Sequence, residues 1–208
     1  MEPNWAAENL QTIRTLMERS AVYRRALAPI MIICGISGLA GGVAGWQWHL
    51  DANKEFVWVW VITAVFALSC STLLIRQQAL RAAESFWSPP TRRITQALMP
   101  PFLVGAVLAG VTTQWGNDTV GREFLIIIWC LAFGCGINAA GFFMPRGIRW
   151  FGWIFLLIGF GLIACLSLEV DLLKVFHSPH LLMATIFGGL HLAYGFYLYF
   201  TEKKNPTV

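Results

Sequence analysis

The sequence predicts an all-α, polytopic membrane protein: six transmembrane helices, an N-terminal amphipathic helix, and both termini in the cytoplasm. The composition is 57% hydrophobic and only 12% charged, about half the charged fraction of a soluble domain. Six apolar runs each approach the roughly 20 residues that a bilayer-spanning helix needs. The polar stretches between these runs are too short to form a soluble domain.

Basic residues determine the predicted orientation. Of the 15 lysines and arginines, only Lys54, Arg122 and Lys174 fall on one side of the predicted spans. The others share the opposite side: Arg14, Arg19, Arg24, Arg25, Arg76, Arg81, Arg92, Arg93, Arg146, Arg149, Lys203 and Lys204. The positive-inside rule assigns that side to the cytoplasm, so both termini are expected inside.

The predicted organisation has three parts. Residues 1–25 form a cytoplasmic amphipathic segment, residues 26–201 a six-helix transmembrane domain, and residues 202–208 a cytoplasmic tail. The expected spans cover about 26–46, 56–76, 95–114, 124–143, 150–168 and 180–200.

The first segment has an apolar face at helical spacing, formed by Ala6, Leu10, Ile13 and Met17. This pattern is typical of a helix lying on the inner leaflet. Whether the face contacts lipid or a protein partner is left open.

The first span carries two overlapping GxxxG pairs, Gly38 with Gly42 and Gly41 with Gly45. Such pairs let two helix backbones approach closely. In a six-span chain a neighbouring helix of the same chain is the favoured partner, and a second copy of the chain is the alternative.

Prolines mark the boundary between the second and third spans. The second helix is expected to extend past the membrane until the Ser-Pro-Pro turn at residues 88–90 ends it. The third span would be too short if it began at Pro100, so it is expected to begin near Thr95 and to kink at Pro100 and Pro101.

The last span holds His191, which is the only ionisable side chain near the centre of an apolar run. Ala184, Gly188 and Gly195 share a helix face with it. This strip of small residues predicts that the imidazole is directed into the bundle and away from lipid.

Two interpretations of His191 remain open. It could act in proton relay, in substrate binding, or as a haem or metal ligand. Alternatively, it is a neutral histidine that joins helices through a hydrogen bond, and Asn138, Ser37 and Ser69 are then the candidate partners. Core haem ligation by two histidines would need a second subunit, since the other three histidines lie near the predicted outer surface.

The outer surface offers weak metal-ligand candidates. His177 and His180 form an HxxH pair that His49 or Asp171 could join, and these residue types suit zinc or copper. Pro179 interrupts the pair, and we therefore predict neither a metal nor a cofactor. All five cysteines fall within predicted spans, which argues against a disulfide framework.

No sequence motif predicts an enzyme. The chain contains no Walker loop, GxSxG or HExxH pattern. Aspartate and glutamate are missing from the centre of every predicted span, so the usual coupling groups of ion-driven carriers are not present there.

Three segments resemble a family of uncharacterised small bacterial inner-membrane proteins. They are IRTLMERS before the first span, ALMPPFLVGAVLAG in the third, and FGGLHLAYGF in the last. The resemblance runs along nearly the whole chain, whereas the acidic loop and the HSPH pair are outside the pattern. It implies a six-span protein, often encoded near winged-helix regulators, with no established activity and no catalytic residues to carry over.

From these observations we predict a non-enzymatic accessory, sensory or regulatory component of the inner membrane. Its expected surroundings are the lipid bilayer and either a protein partner or further copies of itself, with no nucleic acid. One alternative is a small-molecule or ion permeation protein, with His191, Asn138 and the Pro100-Pro101 kink along its path. A second alternative is a cofactor-binding membrane subunit that uses His191.

Overall fold

The computed structural model describes residues 27–81, 86–115, 118–144, 146–168, 170 and 176–202. This part of the chain is helical and contains no strand, as the sequence predicted. Six helices are long and apolar enough to cross a membrane. The amphipathic segment, the end of the tail and Asp171 lie outside the described residues.

The helices are longer at several ends than the predicted spans. Their bounds are α1 Leu27–Gln47, α2 Asn53–Arg81, α3 Pro89–Thr112, α4 Asp118–Ala140 and α5 Arg146–Ser167. The last helix, α6, has three continuous parts: α-helical Pro179–Met183, π-helical Ala184–Gly189 and α-helical Leu190–Glu202.

The third helix begins well before the expected Thr95. Ser88 is its N-cap residue with an extended backbone, and prolines occupy the first helical positions. A proline is suited to the first turn because its missing N–H has no partner within the helix there. The prolines expected to end α2 therefore begin α3. Ser178 and Pro179 begin α6 in the same way, with the Ser178 hydroxyl accepting from the His180 N–H at 3.2 Å.

Close contacts between glycines hold α1 against α6. A Cβ added at Gly38 would lie 2.9 Å from the Gly188 Cα, and one added at Gly195 would lie 3.0 Å from the Ile32 backbone nitrogen. Small residues at such crossings let backbones pack closely inside a membrane. The other glycines of the two predicted GxxxG pairs also face helices of the same chain. Gly42 faces Ala184 and Gly45 faces His180, both in α6, and Gly41 faces Thr63 in α2.

The fourth helix packs closely along both α3 and α5. A Cβ at Gly134 would lie 2.9 Å from the Gly152 carbonyl oxygen, so α4 and α5 touch through their backbones. The outward faces carry large apolar side chains such as Val65, Val107 and Leu157. An apolar outer face suits helices surrounded by lipid.

Candidate functional site

His191 lies near the middle of the last helix and is 6% exposed. Its Nδ1 is 2.6 Å from the Phe187 carbonyl oxygen, one turn earlier in the same helix. A carbonyl oxygen can only accept, so Nδ1 donates. In the neutral imidazole, Nε2 then carries the free lone pair and is the nitrogen left for another group.

Aromatic rings surround this imidazole. The ring centroids of Phe133, Phe151 and Phe155 lie 5.2, 5.1 and 5.7 Å from that of His191, and Phe187 lies at 6.3 Å. These phenylalanines belong to α4, α5 and α6. The imidazole therefore faces the bundle interior, while the small residues beside it face α1.

A π-helical turn, Ala184–Gly189, ends two residues before His191. Such turns shift hydrogen bonds from the α-helical pattern and occur often at functional sites. Two glycines, Gly188 and Gly189, end this turn. The spacing of apolar residues did not predict this π-helical turn, because the apolar run of the last span continues through it without a break.

None of the candidate hydrogen-bond partners is bonded to His191 in the described part of the chain. Asn138, Ser37 and Ser69 form no hydrogen bond with this imidazole, whose Nδ1 bonds within its own helix. Ser37 is buried on α1, whereas Ser69 is exposed on α2. Asn138 lies against Gly152 of α5, and its Nδ2 is buried with no partner among the described residues.

Beside His191 lies an apolar cavity of about 350 Å³. Five helices line it, α1, α2, α3, α4 and α6, and Pro101 of the expected kink contributes to the wall. The kink itself remains a prediction. Ala64, Val65 and Leu68 of α2 and Ala106 of α3 line the cavity and are also exposed on the outer surface of the bundle. The cavity therefore opens sideways, between α2 and α3.

Two tryptophans in the cavity wall differ in one respect. The Trp129 Nε1–H donates to the Gly105 carbonyl oxygen at 3.1 Å. The Trp60 Nε1 is buried without a partner among the described residues, and the side chain is 5% exposed. Neither tryptophan was predicted to line a cavity. The small residues Gly105, Ala106 and Ala109 on one stretch of α3 are the sequence signal that space exists there.

His180 is buried at the N-terminal end of α6, contrary to its expected surface position. Its Nε2 donates to the Leu50 carbonyl oxygen at 2.9 Å, and its ring packs against Phe56 at 4.9 Å and Trp60 at 6.5 Å. The space that Gly45 leaves open admits this imidazole. The His180 imidazole thereby connects α6 to the turn between α1 and α2.

The weak metal candidates are therefore not brought together at the surface. His49 and His177 are exposed, and each has a positive φ, whereas His180 is fully buried. No group of three or more potential ligands occurs in the described ranges. His180 and His191 are eleven residues apart, roughly 16 Å along a helix axis, so they do not form one ligand pair.

Two further side chains make hydrogen bonds at the end of the bundle where α2 and α4 begin. The Asn53 Nδ2 donates to the Thr112 carbonyl oxygen at 3.2 Å, joining α2 to the end of α3. Arg122 of α4 donates to the Asp51 carbonyl oxygen. The turn between α1 and α2 is thus held by α3, α4 and α6.

Comparison with protein-family models, curated proteins and solved structures gave no match to this chain.

Proposed function

We propose that this chain is a six-span inner-membrane protein with both termini in the cytoplasm, and that it acts as an accessory or sensory component by binding an apolar molecule from the bilayer. The observation that carries the proposal is the cavity of about 350 Å³ that opens between α2 and α3. Its size falls in the range of small-molecule binding sites.

The position of the opening favours an occupant from the lipid phase. Ala64, Leu68 and Ala106 at the mouth belong to the outward faces of membrane-length helices. A molecule dissolved in the hydrocarbon core can reach this mouth without crossing a polar layer. The nearly continuous apolar lining favours hydrocarbon over water or ions.

The same lining argues for binding and against permeation. A conduction path needs polar groups that replace the hydration of the permeant species. The aromatic rings of Phe133, Phe151 and Phe155 surround the His191 imidazole, and Asn138 lies at a different interface, between α4 and α5.

The orientation in the proposal comes from the charge distribution. Among the described residues, Lys54 and Arg122 are the basic residues near the end of the bundle where α2 and α4 begin, and Lys174, outside the described residues, falls in a loop predicted on the same side. The positive-inside rule makes that end the outer one. Reporter fusions after residues 81 and 115 test this assignment: a cytoplasmic reporter should be active at the first position and a periplasmic reporter at the second.

Occupancy of the cavity can be tested with one plugging variant and a matched control. Ala106→Phe places a ring in the mouth, whereas Ala164→Phe makes the same change on an exposed position of α5. Native mass spectrometry of protein released from vesicles of defined phospholipids should show a retained lipid adduct in wild type and Ala164→Phe. Loss of that adduct from Ala106→Phe alone is the expected result; equal adducts in all three proteins would contradict the proposal.

A further inference from the structure

Two arginines lie over aromatic rings at the end of the bundle where α4 finishes. The Arg149 guanidinium carbon is 4.3 Å from the centroid of the Phe142 ring. The Arg93 guanidinium carbon is 5.9 Å from the centroid of the Phe143 ring. Arg93 belongs to α3 and Arg149 to α5, while the two phenylalanines are consecutive residues in the turn after α4. One aromatic turn therefore contacts guanidinium groups from two helices.

These three helices supply no counter-charge for the two arginines. Helices α3 and α5 contain no aspartate or glutamate, and those of α4 lie in its first two turns, at the opposite end. No carboxylate pairs with Arg93 or Arg149 in the described part of the chain. Because a guanidinium stays protonated in proteins, both positive charges are available to an external anion.

The Arg149 side chain is half-buried and held on two sides. Its stem packs against Gly141, and its guanidinium lies on the Phe142 ring. The Nε is enclosed without a partner, whereas the terminal nitrogens keep accessible surface. A guanidinium fixed in this way presents a planar fork of N–H donors that matches two phosphate oxygens. Arg149 also lies in the first turn of α5, where the helix dipole favours an anion.

The surface around these arginines is suited to the headgroup region of a membrane. Phe142, Phe143 and Trp150 are exposed there, and Arg93 is exposed beside them. Exposed aromatic rings are typical of the ends of membrane helices. Basic clusters between helices at the cytoplasmic face are suited to lipid phosphate, because the inner leaflet carries anionic lipids.

We infer that the guanidinium groups of Arg93 and Arg149 bind an anionic inner-leaflet phospholipid through its phosphate, while Phe142 and Phe143 hold the two groups in place. A zwitterionic lipid fits less well, because its own cationic group would be repelled by the arginines. The inference takes its leaflet from the orientation in the proposed function. It adds a second lipid site that does not depend on the cavity.

Native mass spectrometry of protein released from vesicles with equal amounts of phosphatidylglycerol and phosphatidylcholine tests this site. The quantity measured is the ratio of the two retained lipids, which should favour phosphatidylglycerol in wild type. Arg149→Gln and Arg93→Gln should each lower that ratio at least about 5-fold, the size expected for one arginine near a lipid surface. Circular dichroism and gel filtration establish that both variants fold as wild type does.

Arg81→Gln is the matched control for net charge. It removes one positive charge from an exposed position at the end of α2, where the arginine lies over no aromatic ring of the described residues. The ratio should stay within about 2-fold of wild type, less than the effect of one lipid-bound arginine. An equal fall in Arg81→Gln and Arg149→Gln would overturn a site at Arg149.

Arg149→Lys separates the held guanidinium from its charge. Lysine keeps the positive charge but lacks the planar fork of donors. The ratio should fall about 2- to 5-fold, the size of a cation–π contact at an exposed site. A ratio equal to that of wild type would overturn the part assigned to the ring-held guanidinium.

Inorganic phosphate distinguishes a lipid from a soluble anion. Excess phosphate should lower the ratio no more than chloride does at the same ionic strength, since the membrane holds the lipid beside the site. Displacement of phosphatidylglycerol by phosphate but not by chloride would assign the site to a soluble phosphate and overturn the lipid.

The plugging variant Ala106→Phe keeps this inference separate from the proposed function. In vesicles of phosphatidylcholine alone, an adduct lost on Ala106→Phe reports on the cavity. In the mixed vesicles, a preference for phosphatidylglycerol that persists in Ala106→Phe and falls on Arg149→Gln supports the arginine site, whatever the cavity holds. A preference that both arginine variants leave unchanged overturns the arginine site and leaves the cavity proposal standing.

Discussion

His180 and His191 are both buried on α6, yet they serve the molecule differently. His180 donates to the carbonyl of Leu50, which belongs to the turn between α1 and α2. His191 donates to Phe187 within its own helix and lies in the wall of a cavity. The bond of His180 joins separate elements, whereas that of His191 constrains only its own ring.

This difference shows that depth in the membrane does not by itself assign a role to a histidine. The residue near the end of its span is the more completely enclosed, at 0% exposure against 6% for His191. What separates the two is the identity of the acceptor and the space beside the ring. We therefore expect changes at His180 to lower stability, and a change at His191 that keeps an aromatic ring to leave both stability and cavity occupancy nearly unaltered.

The largest expected effect comes from filling the space beside His180. In Gly45→Ala the new methyl group would overlap the imidazole and force it from its place. We expect a loss of about 2–3 kcal/mol in unfolding free energy, the upper part of the usual range for overpacking a closed site. Gly110→Ala is the control, because a Cβ there meets nothing within 4 Å. Reversible unfolding in mixed detergent micelles measures both, and equal stabilities would contradict the assignment of His180.

A matched pair of substitutions compares the histidines directly. His180→Phe removes the donor to Leu50 and leaves that carbonyl without its bond, with an expected cost of about 1–3 kcal/mol. His191→Phe keeps an aromatic ring, and Phe187 retains an intrahelical N–H donor from Leu190, so the expected cost is below about 1.5 kcal/mol. The same unfolding assay ranks them; a larger loss for His191→Phe would reverse the comparison.

A substitution at His191 tests how the cavity wall affects ligand binding. His191→Phe makes the wall there more apolar, so an apolar ligand should be held at least as well as in wild type. Photolabelling of the cavity lining by a phospholipid that carries a diazirine near the end of one chain should stay within about 4-fold of wild type, since one buried methylene is worth about 0.8 kcal/mol. A loss of more than 10-fold would show that the His191 imidazole itself binds the ligand.

The smallest expected effect is at Asn138, whose buried Nδ2 has no partner in the described part of the chain. Replacing an unpaired polar group by an apolar one of similar size removes a desolvation cost. Asn138→Leu should therefore be neutral or stabilising by up to about 1 kcal/mol in the unfolding assay. A clear loss of stability would mean that Asn138 bonds to something essential for the fold.

Much of the architecture was predictable because membrane helices have a strong sequence signal. The six long apolar helices follow from composition and run length, and the predicted last span, 180–200, differs from Pro179–Thr201 by one residue at each end. The predicted start of α3, near Thr95, was wrong, since the helix begins at Pro89. The prolines were taken to end α2, although prolines equally suit the first turn of a new helix.

The candidate site was less accessible to sequence reasoning. The burial of His180 depends on Gly45, a residue far away in the sequence, and the π-helical turn before His191 has no periodic signature. The cavity arises from how five helices meet, and the unpartnered Trp60 N–H becomes visible only once every neighbour is placed. These contacts join residues that are far apart in the sequence, and a single sequence does not show which of its residues meet.

The most direct test of cavity binding is a residue-level map of photolabelling in wild-type protein, using a phospholipid that carries a photoactivatable diazirine near the end of one chain, followed by peptide mass spectrometry. The account predicts adducts concentrated on the enclosed part of the cavity lining, at Met183 and Phe187. Leu157 and Phe160, exposed on α5, serve as lipid-facing references. Adducts as frequent on those two residues as on the lining would contradict a bound lipid in the cavity.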